Sequence, residues 1–204
     1  MAIGIGLSPS IEANITEAAR LCALLGEKLF LIHVEALNSQ SRSAVADIVA
    51  KLANTKVLAD IKYEICFEQG DISESIIKVC ETRKVDLLLA GALPREGLLR
   101  YYMGSVARQL VRKSSFSILL LTNPQLFPKA YSKIVVTGNK HPKTSDTIEK
   151  TIQVAEALGA RKLSIVDEVI PDKNTKRAAD NKELERCNRW RDIIEQREAH
   201  RLSL

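Results

Sequence analysis

One stretch, residues Val85–Thr122, decides the fold: VDLLLAGALPREGLLRYYMGSVARQLVRKSSFSILLLT. Asp86–Ala90 is an apolar run of strand length with Gly91 at its end, and a helical period of apolar residues follows Gly104-Ser105. Ile118–Leu121 predicts a second buried strand. A strand, a glycine-bearing loop, a helix and a strand in this order predict a parallel unit. The helix N-terminus at the carboxyl edge of such a sheet is a favourable place for an anion.

The same alternation extends back to the start of the chain. It predicts further strands and helices at Ile3–Leu7, Ile11–Leu25, Lys28–Val34, Ser43–Asn54, Ile61–Phe67 and Ile72–Thr82. Strands that alternate with helices indicate a parallel sheet covered by helices on both faces. We therefore predict an α/β domain over residues 1–124, with a doubly wound sheet of five parallel strands.

The pattern starts again after the fifth strand. Ile148–Gly159 (IEKTIQVAEALG) aligns with Ile15–Gly26 (ITEAARLCALLG) at a constant offset of 133 residues, and a strand precedes and follows each segment. Any two amphipathic helices resemble each other to some degree. The shared Leu-Gly ending and the proline-bearing turns at Pro9 and Pro142 favour an internal repeat. We predict a partial β-α-β second copy over residues 125–172.

The C-terminal segment, residues 173–204, is predicted to be a charged amphipathic helix. It has nine lysines and arginines and six acidic residues, a net charge of 9 − 6 = +3. This segment therefore carries more than half of the net charge of +5 of the chain. A narrow apolar stripe is formed by Leu184, Cys187, Trp190, Ile193 and Ile194. The stripe could cover the second copy, another subunit or a partner protein. Because acids are interspersed among the basic residues, the pattern disfavours a nucleic-acid interface.

The composition indicates a soluble globular protein, with 46% hydrophobic and 27% charged residues in 204. No apolar run approaches the ~20 residues of a membrane helix, so a cytoplasmic location without membrane insertion is expected. The four cysteines form no CxxC pair, and Cys22 and Cys66 are predicted core residues. His33 is predicted to be a packed or hydrogen-bonded strand residue. No catalytic constellation is recognisable, so we expect no enzyme activity.

The loop after the fourth strand resembles that of a known family. Its pattern, Gly91-x2-Pro94-x9-Gly104-Ser105, resembles the Gly-x2-Gly-x9-Gly-Ser/Thr loop of nucleotide-binding universal stress proteins. The resemblance implies that an adenine nucleotide, ATP or AMP, binds at the loop. Its expected contacts there are Ala90, Gly91, Pro94, Gly104, Ser105 and Val106. Pro94 replaces the second glycine of the family and lacks an N–H, so one donor is missing.

The turn after the first strand carries the rest of the expected site. Where the family has an aspartate, this chain has Ser8, whose hydroxyl does not recruit a divalent metal as a carboxylate does, so the resemblance leaves magnesium open. Ser8-Pro9-Ser10 is similar to the Ser-x-Ser turn of related domains that bind cyclic di-AMP, although a helix cap is the commoner role of such serines. His33 departs from the tyrosine of that signature. Val34 matches a position that touches adenine in the family.

Two hypotheses of function follow. The first is a non-enzymatic regulatory module that responds to stress by binding an adenine nucleotide between Ser8 and the Gly91–Ser105 loop. The second is a ligand-free interaction module that forms a homodimer through Ile118–Leu121, since an exposed apolar edge strand favours pairing. The first strand begins two residues after Met1. This start is consistent with the cytoplasmic regulatory domain of a membrane transporter.

Overall fold

A computed structural model describes residues 1–25, 28–35, 41–92, 105–138 and 142–166. Strands and helices alternate in its first part: β1 Ala2–Gly4, α1 Ile11–Leu25, β2 Leu29–Glu35, α2 Arg42–Ala53, β3 Tyr63–Gln69, α3 Ile72–Thr82, β4 Leu87–Gly91, α4 Ser105–Lys113 and β5 Ser117–Leu121. The five strands form one sheet in the order β3-β2-β1-β4-β5, and all neighbours are parallel. The predicted doubly wound α/β sheet is confirmed.

Successive residues of the strands enter two separate cores. On one face of the sheet, Leu31 and Leu89 pack with residues of α1 and α2. On the other face, Ile32 and Leu88 pack with residues of α3 and α4. All four of these leucine and isoleucine side chains are fully buried. Burial on both faces explains why the central strands are continuous apolar runs instead of alternating with polar residues.

The order of the strands creates a switch point at the centre of the sheet. From β1 the chain proceeds to β2 and β3 on one side, and it then returns to β4 and β5 on the other side. β1 and β4 are direct neighbours, with Gly4 in register with Ala90. The connections after these two strands therefore diverge, and their carboxyl ends form the crevice where open α/β sheets bind ligands.

Strand β1 is shorter than the predicted Ile3–Leu7. Ile5 still donates its N–H to Ile32 O at 2.8 Å, but its carbonyl accepts from the ring of His33. A side chain thus takes the place of the next ladder bond, and the chain leaves the sheet early. His33 is 3% exposed, which confirms the predicted hydrogen-bonded strand residue.

Helix α3 has the bounds that the sequence predicts, and its start has a clear cause. Asp71 is the N-cap, and its carboxylate accepts from the N–H of Glu74 at 2.9 Å. The preceding Gly70 has a φ of 128°, which only glycine adopts without strain. Ile76, Val79 and Cys80 are buried, whereas Ile72 is 41% exposed. Its position in the first turn leaves Ile72 outside the core.

The cysteines that the structure describes belong to the cores. Cys22 and Cys66 are buried, as predicted, and so is Cys80. Burial raises the pKa of the Cys80 thiol to about 12. A thiol in such surroundings stays protonated at neutral pH and is a poor nucleophile. Cys187 lies outside the described residues.

The remaining described elements are β6 Lys133–Thr137, α5 Thr144–Ala157 and β7 Lys162–Val166, and β6 and β7 form a two-stranded sheet. Their order is that of the predicted β-α-β copy. Ile148, Ile152 and Ala155 form the buried side of α5. The chain divides into two compact units, Met1–Ile134 with Lys150–Leu163, and Val135–Glu149 with Ser164–Leu204. The predicted division at residues 124 and 172 stays a prediction, and the predicted tail helix lies outside the described residues.

In the part of the chain that the structure describes, none of the helices combines the length and the apolar character needed to cross a bilayer.

Candidate functional site

Three polar side chains meet where α1 begins, at the carboxyl edge of the sheet. The hydroxyls of Ser8 and Ser10 are 3.3 Å apart, and the Nδ2 atom of Asn14 donates to Ser10 Oγ at 3.3 Å. Ser10 also accepts the first bond of the helix, since Asn14 N donates to its carbonyl at 2.8 Å. The N–H groups of the first helical turn lack partners inside the helix. The start of α1 thus combines hydroxyls, an amide and a positive dipole end.

Gly91, the last residue of β4, lies directly against this group. A Cβ atom placed on Gly91 would be 2.8 Å from Asn14 Nδ2 and 3.4 Å from its Cγ and Oδ1. Gly91 follows Leu89 by two residues, so both face α1. Only glycine permits so close an approach without displacing the amide. The turn after β1 and the end of β4 therefore face each other, as the sequence predicts, and Asn14 connects them.

His33 fixes the backbone that leads into the turn. Its Nδ1 lies 3.0 Å from Ile5 O and its Nε2 lies 2.8 Å from Ser41 Oγ. A carbonyl can only accept, so Nδ1 carries a proton, and in the neutral ring Nε2 accepts from the Ser41 hydroxyl. The ring is buried and also meets Phe67 edge-on, with centroids 6.1 Å apart. His33 is thus a positioning residue that ties β1 and β2 to the start of α2.

Two carboxylates near this edge are both engaged by donors. Glu12, in the first turn of α1, accepts from Lys51 Nζ at 2.9 Å. Glu35, at the end of β2, accepts from the backbone N–H of Arg42 at 2.8 Å. Both contacts involve exposed groups and contribute little stability. The Lys51 ammonium offsets the charge of Glu12 and so reduces the repulsion that an anion would meet near the start of α1.

The structure separates the predicted site residues into three groups. Ser8, Ser10 and Gly91 come together around Asn14. Val34, Ala90 and Val106 instead contribute to the core on the α3 and α4 face, and Ser105 is the exposed first residue of α4. Pro94 and Gly104 lie outside the described residues.

Asn14 is the site residue that the sequence does not reveal. It stands in the amphipathic pattern of α1, where an asparagine looks like an ordinary polar position. The spacing Ser10-x3-Asn14 does place both side chains on one side of the helix start. Recognising the contact with Gly91 requires knowing that β1 and β4 are neighbours, and that is a tertiary fact.

A cavity of about 240 Å³ lies near the carboxyl end of β5. It is lined by Leu119–Gln125, Pro128, Lys129, Tyr131 and by Glu17 of α1. The carboxylate of Glu17 accepts from Tyr131 Oη at 2.5 Å and from Arg20 at 2.7 Å, and Arg20 also lies over the Tyr131 ring. Burial, followed by the bond to Glu17, raises the pKa of Tyr131 to about 12. The buried carboxylate of Glu17 disfavours the binding of an anion in this cavity. We therefore interpret the contacts of Glu17 and Arg20 with Tyr131 as structural, since they hold the segment after β5 against α1.

Within the described ranges, no group of three or more histidine, cysteine, aspartate or glutamate side chains could hold a metal ion.

Comparison with known proteins identifies what the chain resembles. The model of the Universal stress protein family matches residues 1–122. None of the curated proteins matches the chain at a significant level.

Several solved structures are similar to the chain. A universal stress protein from Archaeoglobus fulgidus DSM 4304 is 18% identical, with 91% of this chain and 73% of that chain covered and a TM-score of 0.66. A functionally unknown protein from Pseudomonas aeruginosa PAO1 is 15% identical, with coverages of 94% and 69% and a TM-score of 0.69. A universal stress protein in complex with cAMP is 21% identical over 59% of this chain and 93% of that chain, with a TM-score of 0.47. At these identities the first two show a common fold, and the cAMP is a property of the third protein alone.

Proposed function

The chain belongs to the universal stress protein family, and on that premise we propose that it is a regulatory module without enzyme activity that binds an adenine nucleotide at the carboxyl edge of its five-stranded sheet. The proposed site lies between the Ser8–Ser10 turn and the loop that begins at Gly91. Family members are in general regulatory proteins. The nucleotide is the finer part of the proposal, with ATP and AMP as first candidates and cyclic di-AMP as a further one.

The observation that carries the proposal is the contact between Asn14 and Gly91 at the switch point of the sheet. It brings the hydroxyls of Ser8 and Ser10 and the start of a 15-residue helix to the end of β4. Donor groups and a helix N-terminus at one place favour a phosphate. The loop with the family spacing, which ends at Ser105, leaves β4 at this point and enters α4.

The residue at position 8 makes a specific prediction about magnesium. A carboxylate beside the phosphates would help to hold a divalent cation, whereas the Ser8 hydroxyl is a neutral donor and acceptor. We therefore expect the protein to bind the nucleotide equally well with and without magnesium.

The proposal is tested by calorimetric titration of the full chain with ATP, AMP and cyclic di-AMP, each with and without magnesium. The same titrations on Gly104→Trp place an indole where the resemblance expects a phosphate, and those on Ser8→Ala remove one hydroxyl. Ser117→Ala is the matched control, because Ser117 is an exposed serine at the opposite end of the sheet. We expect binding that Gly104→Trp abolishes, that Ser8→Ala weakens and that Ser117→Ala leaves unchanged.

If the wild-type protein binds none of the three nucleotides, the proposed function is contradicted. Binding that both Gly104→Trp and Ser8→Ala leave intact would place the nucleotide elsewhere. A strict requirement for magnesium would contradict the role given to Ser8.

A second candidate function is self-association through β5. This strand forms one edge of the sheet, and Ile118, Leu119 and Leu120 are only half-buried. The exposed side chains of Leu126 and Phe127 follow shortly after it, with 90% of Phe127 accessible. An edge strand with unpaired backbone groups and apolar neighbours favours pairing with a second copy of the chain.

Sedimentation velocity tests this second candidate. We expect a dimer that Phe127→Asp weakens, while Val111→Asp on the exposed side of α4 leaves it intact. A wild-type monomer at all concentrations would rule the homodimer out. A membrane-transporter partner and a cytoplasmic location stay predictions of the sequence.

A further inference from the structure

Asn14 carries an unused hydrogen-bonding group inside the protein. Its side chain is 7% exposed, and among the described residues its Oδ1 atom has no hydrogen-bond partner. Within the described ranges the side chain makes one hydrogen bond, the donation from Nδ2 to Ser10 Oγ. Turning the amide by half a rotation would exchange the two ends and leave Nδ2 unused instead. In either orientation one end of a buried amide is unsatisfied, which disfavours folding.

The unsatisfied amide lies at the proposed site and not in a remote part of the core. Its Nδ2 atom would lie 2.8 Å from a Cβ atom on Gly91, and Ser10, its partner among the described residues, also contacts Ser8. The bond to Ser10 is 3.3 Å long, beyond the usual 2.7–3.2 Å of N–H···O bonds, so exchanging it costs little. A small rotation of the side chain, at the expense of this bond, would let the unused Oδ1 atom accept from a donor of a bound molecule.

A buried polar group that lacks a partner in the free protein is understandable if the ligand provides one. In the orientation described, the unused atom is an acceptor, so the ligand must present a donor. A phosphate has no donor at neutral pH, whereas a ribose has hydroxyls that both donate and accept. The two serine hydroxyls beside Asn14 can serve the phosphate, and the amide oxygen can serve the sugar.

We propose that Asn14 is a specificity-determining residue that accepts a hydrogen bond from a ribose hydroxyl of the bound nucleotide. This inference rests on the proposed nucleotide site and adds the group that the site recognises. The proposal also predicts a property of the ligand-free protein, because an unsatisfied buried amide lowers the stability of the fold. Replacing Asn14 by leucine, which has nearly the same shape, should raise the thermal stability of the free protein and lower its affinity for a ribonucleotide.

The experiment compares wild type, Asn14→Leu and Thr16→Val, each titrated with ATP and with 2′,3′-dideoxy-ATP. Thr16 is the matched control, since it is also a buried polar residue of α1, but its hydroxyl donates to Glu12 O at 2.8 Å. We expect wild type to bind ATP about 10-fold more tightly than the dideoxy compound. Asn14→Leu should bind ATP about 10-fold more weakly than wild type does, with its affinity for the dideoxy compound unchanged. Thr16→Val should bind as wild type does.

Thermal melts of the free proteins provide the second readout, and Tm should rise by about 2–4 °C in Asn14→Leu. If this variant does not fold, Asn14→Ala serves for the same comparison of the two ligands. Equal discrimination in wild type and variant would overturn the inference while leaving the proposed function standing. A variant that melts earlier and keeps the wild-type discrimination would show a structural role only. If wild type binds neither compound, the proposed function itself fails.

Discussion

Replacing Gly91 by alanine is expected to destabilise the protein, and Asn14 is expected to be the reason. The new Cβ would lie 2.8 Å from Asn14 Nδ2, which is closer than real Cβ contacts allow. Gly91 has no left-handed backbone, since only Gly70 and Gly159 among the described glycines have a positive φ. An alanine can therefore adopt its conformation, and the overlap with the Asn14 amide is the main cost.

The magnitude follows from two opposing effects. Forcing a methyl group against a packed neighbour costs about 1–3 kcal/mol. Gly91 itself is exposed, but Asn14 is buried, which limits the room for its amide to retreat. Replacing a glycine that has an ordinary backbone stabilises by about 0.4–1 kcal/mol through the unfolded chain. We expect Gly91→Ala to lose about 1 kcal/mol on balance. In an Asn14→Ala background the overlap is gone, so the same substitution should be neutral or should stabilise by up to about 1 kcal/mol.

The assay is a double-mutant cycle of urea unfolding followed by far-UV circular dichroism. We expect a coupling free energy of about 1–2 kcal/mol between positions 14 and 91, the difference between the effects of Gly91→Ala in the two backgrounds. Gly6→Ala is the control, because Gly6 lies at the same edge of the sheet but a Cβ there meets nothing within 4 Å. If Gly91→Ala costs the same in both backgrounds, the amide does not lie against Gly91 and the geometry of the candidate site is wrong.

Three further predictions concern the fold around the site. Asp71→Ala should lose about 1 kcal/mol, since its carboxylate caps α3 through the N–H of Glu74, and a thermal melt measures the loss. Leu89→Ala should lose about 2–5 kcal/mol in urea unfolding, because this side chain is fully buried in the central strand β4. The raised pKa of Tyr131, about 12, means that its phenol stabilises the fold fully below pH 10 and that this contribution disappears as the pH rises through 12. Because the ring is partly exposed we expect only about 1 kcal/mol, and Tyr131→Phe should remove that part of the pH dependence of stability.

Matched variants separate these effects from general damage. Ser75→Ala is the control for Asp71→Ala. Ser75 lies inside α3, whereas Asp71 caps its start, so the substitution of Ser75 should change the melting temperature little. Val111→Ala is the partner of Leu89→Ala, since 48% of the Val111 side chain is exposed, and it should stay within about 0.5 kcal/mol. If wild type and Tyr131→Phe lose the same amount of stability between pH 10 and 12, groups other than Tyr131 cause the loss.

Local signals in the sequence account for much of the fold. Helix α3 has the predicted bounds because a glycine turn and an aspartate cap specify its start. Strand β4 was predictable within one residue, since a strand buried on both faces is a continuous apolar run. The end of β1 was not predictable, because the ring of His33, 28 residues further along the chain, takes the carbonyl of Ile5.

By itself the sequence determined the fold class, the family and the place of the loop between β4 and α4. These depend on periodicity, on glycine and proline positions and on spacing, and all of them are local along the chain. Only the tertiary structure decided which side chains lie at the candidate site. Asn14 and Gly91 are 77 residues apart, and they meet because β4 returns to lie beside β1. The unused amide of Asn14 is a fact of packing, and no local pattern of residues encodes which neighbours a buried polar group will lack.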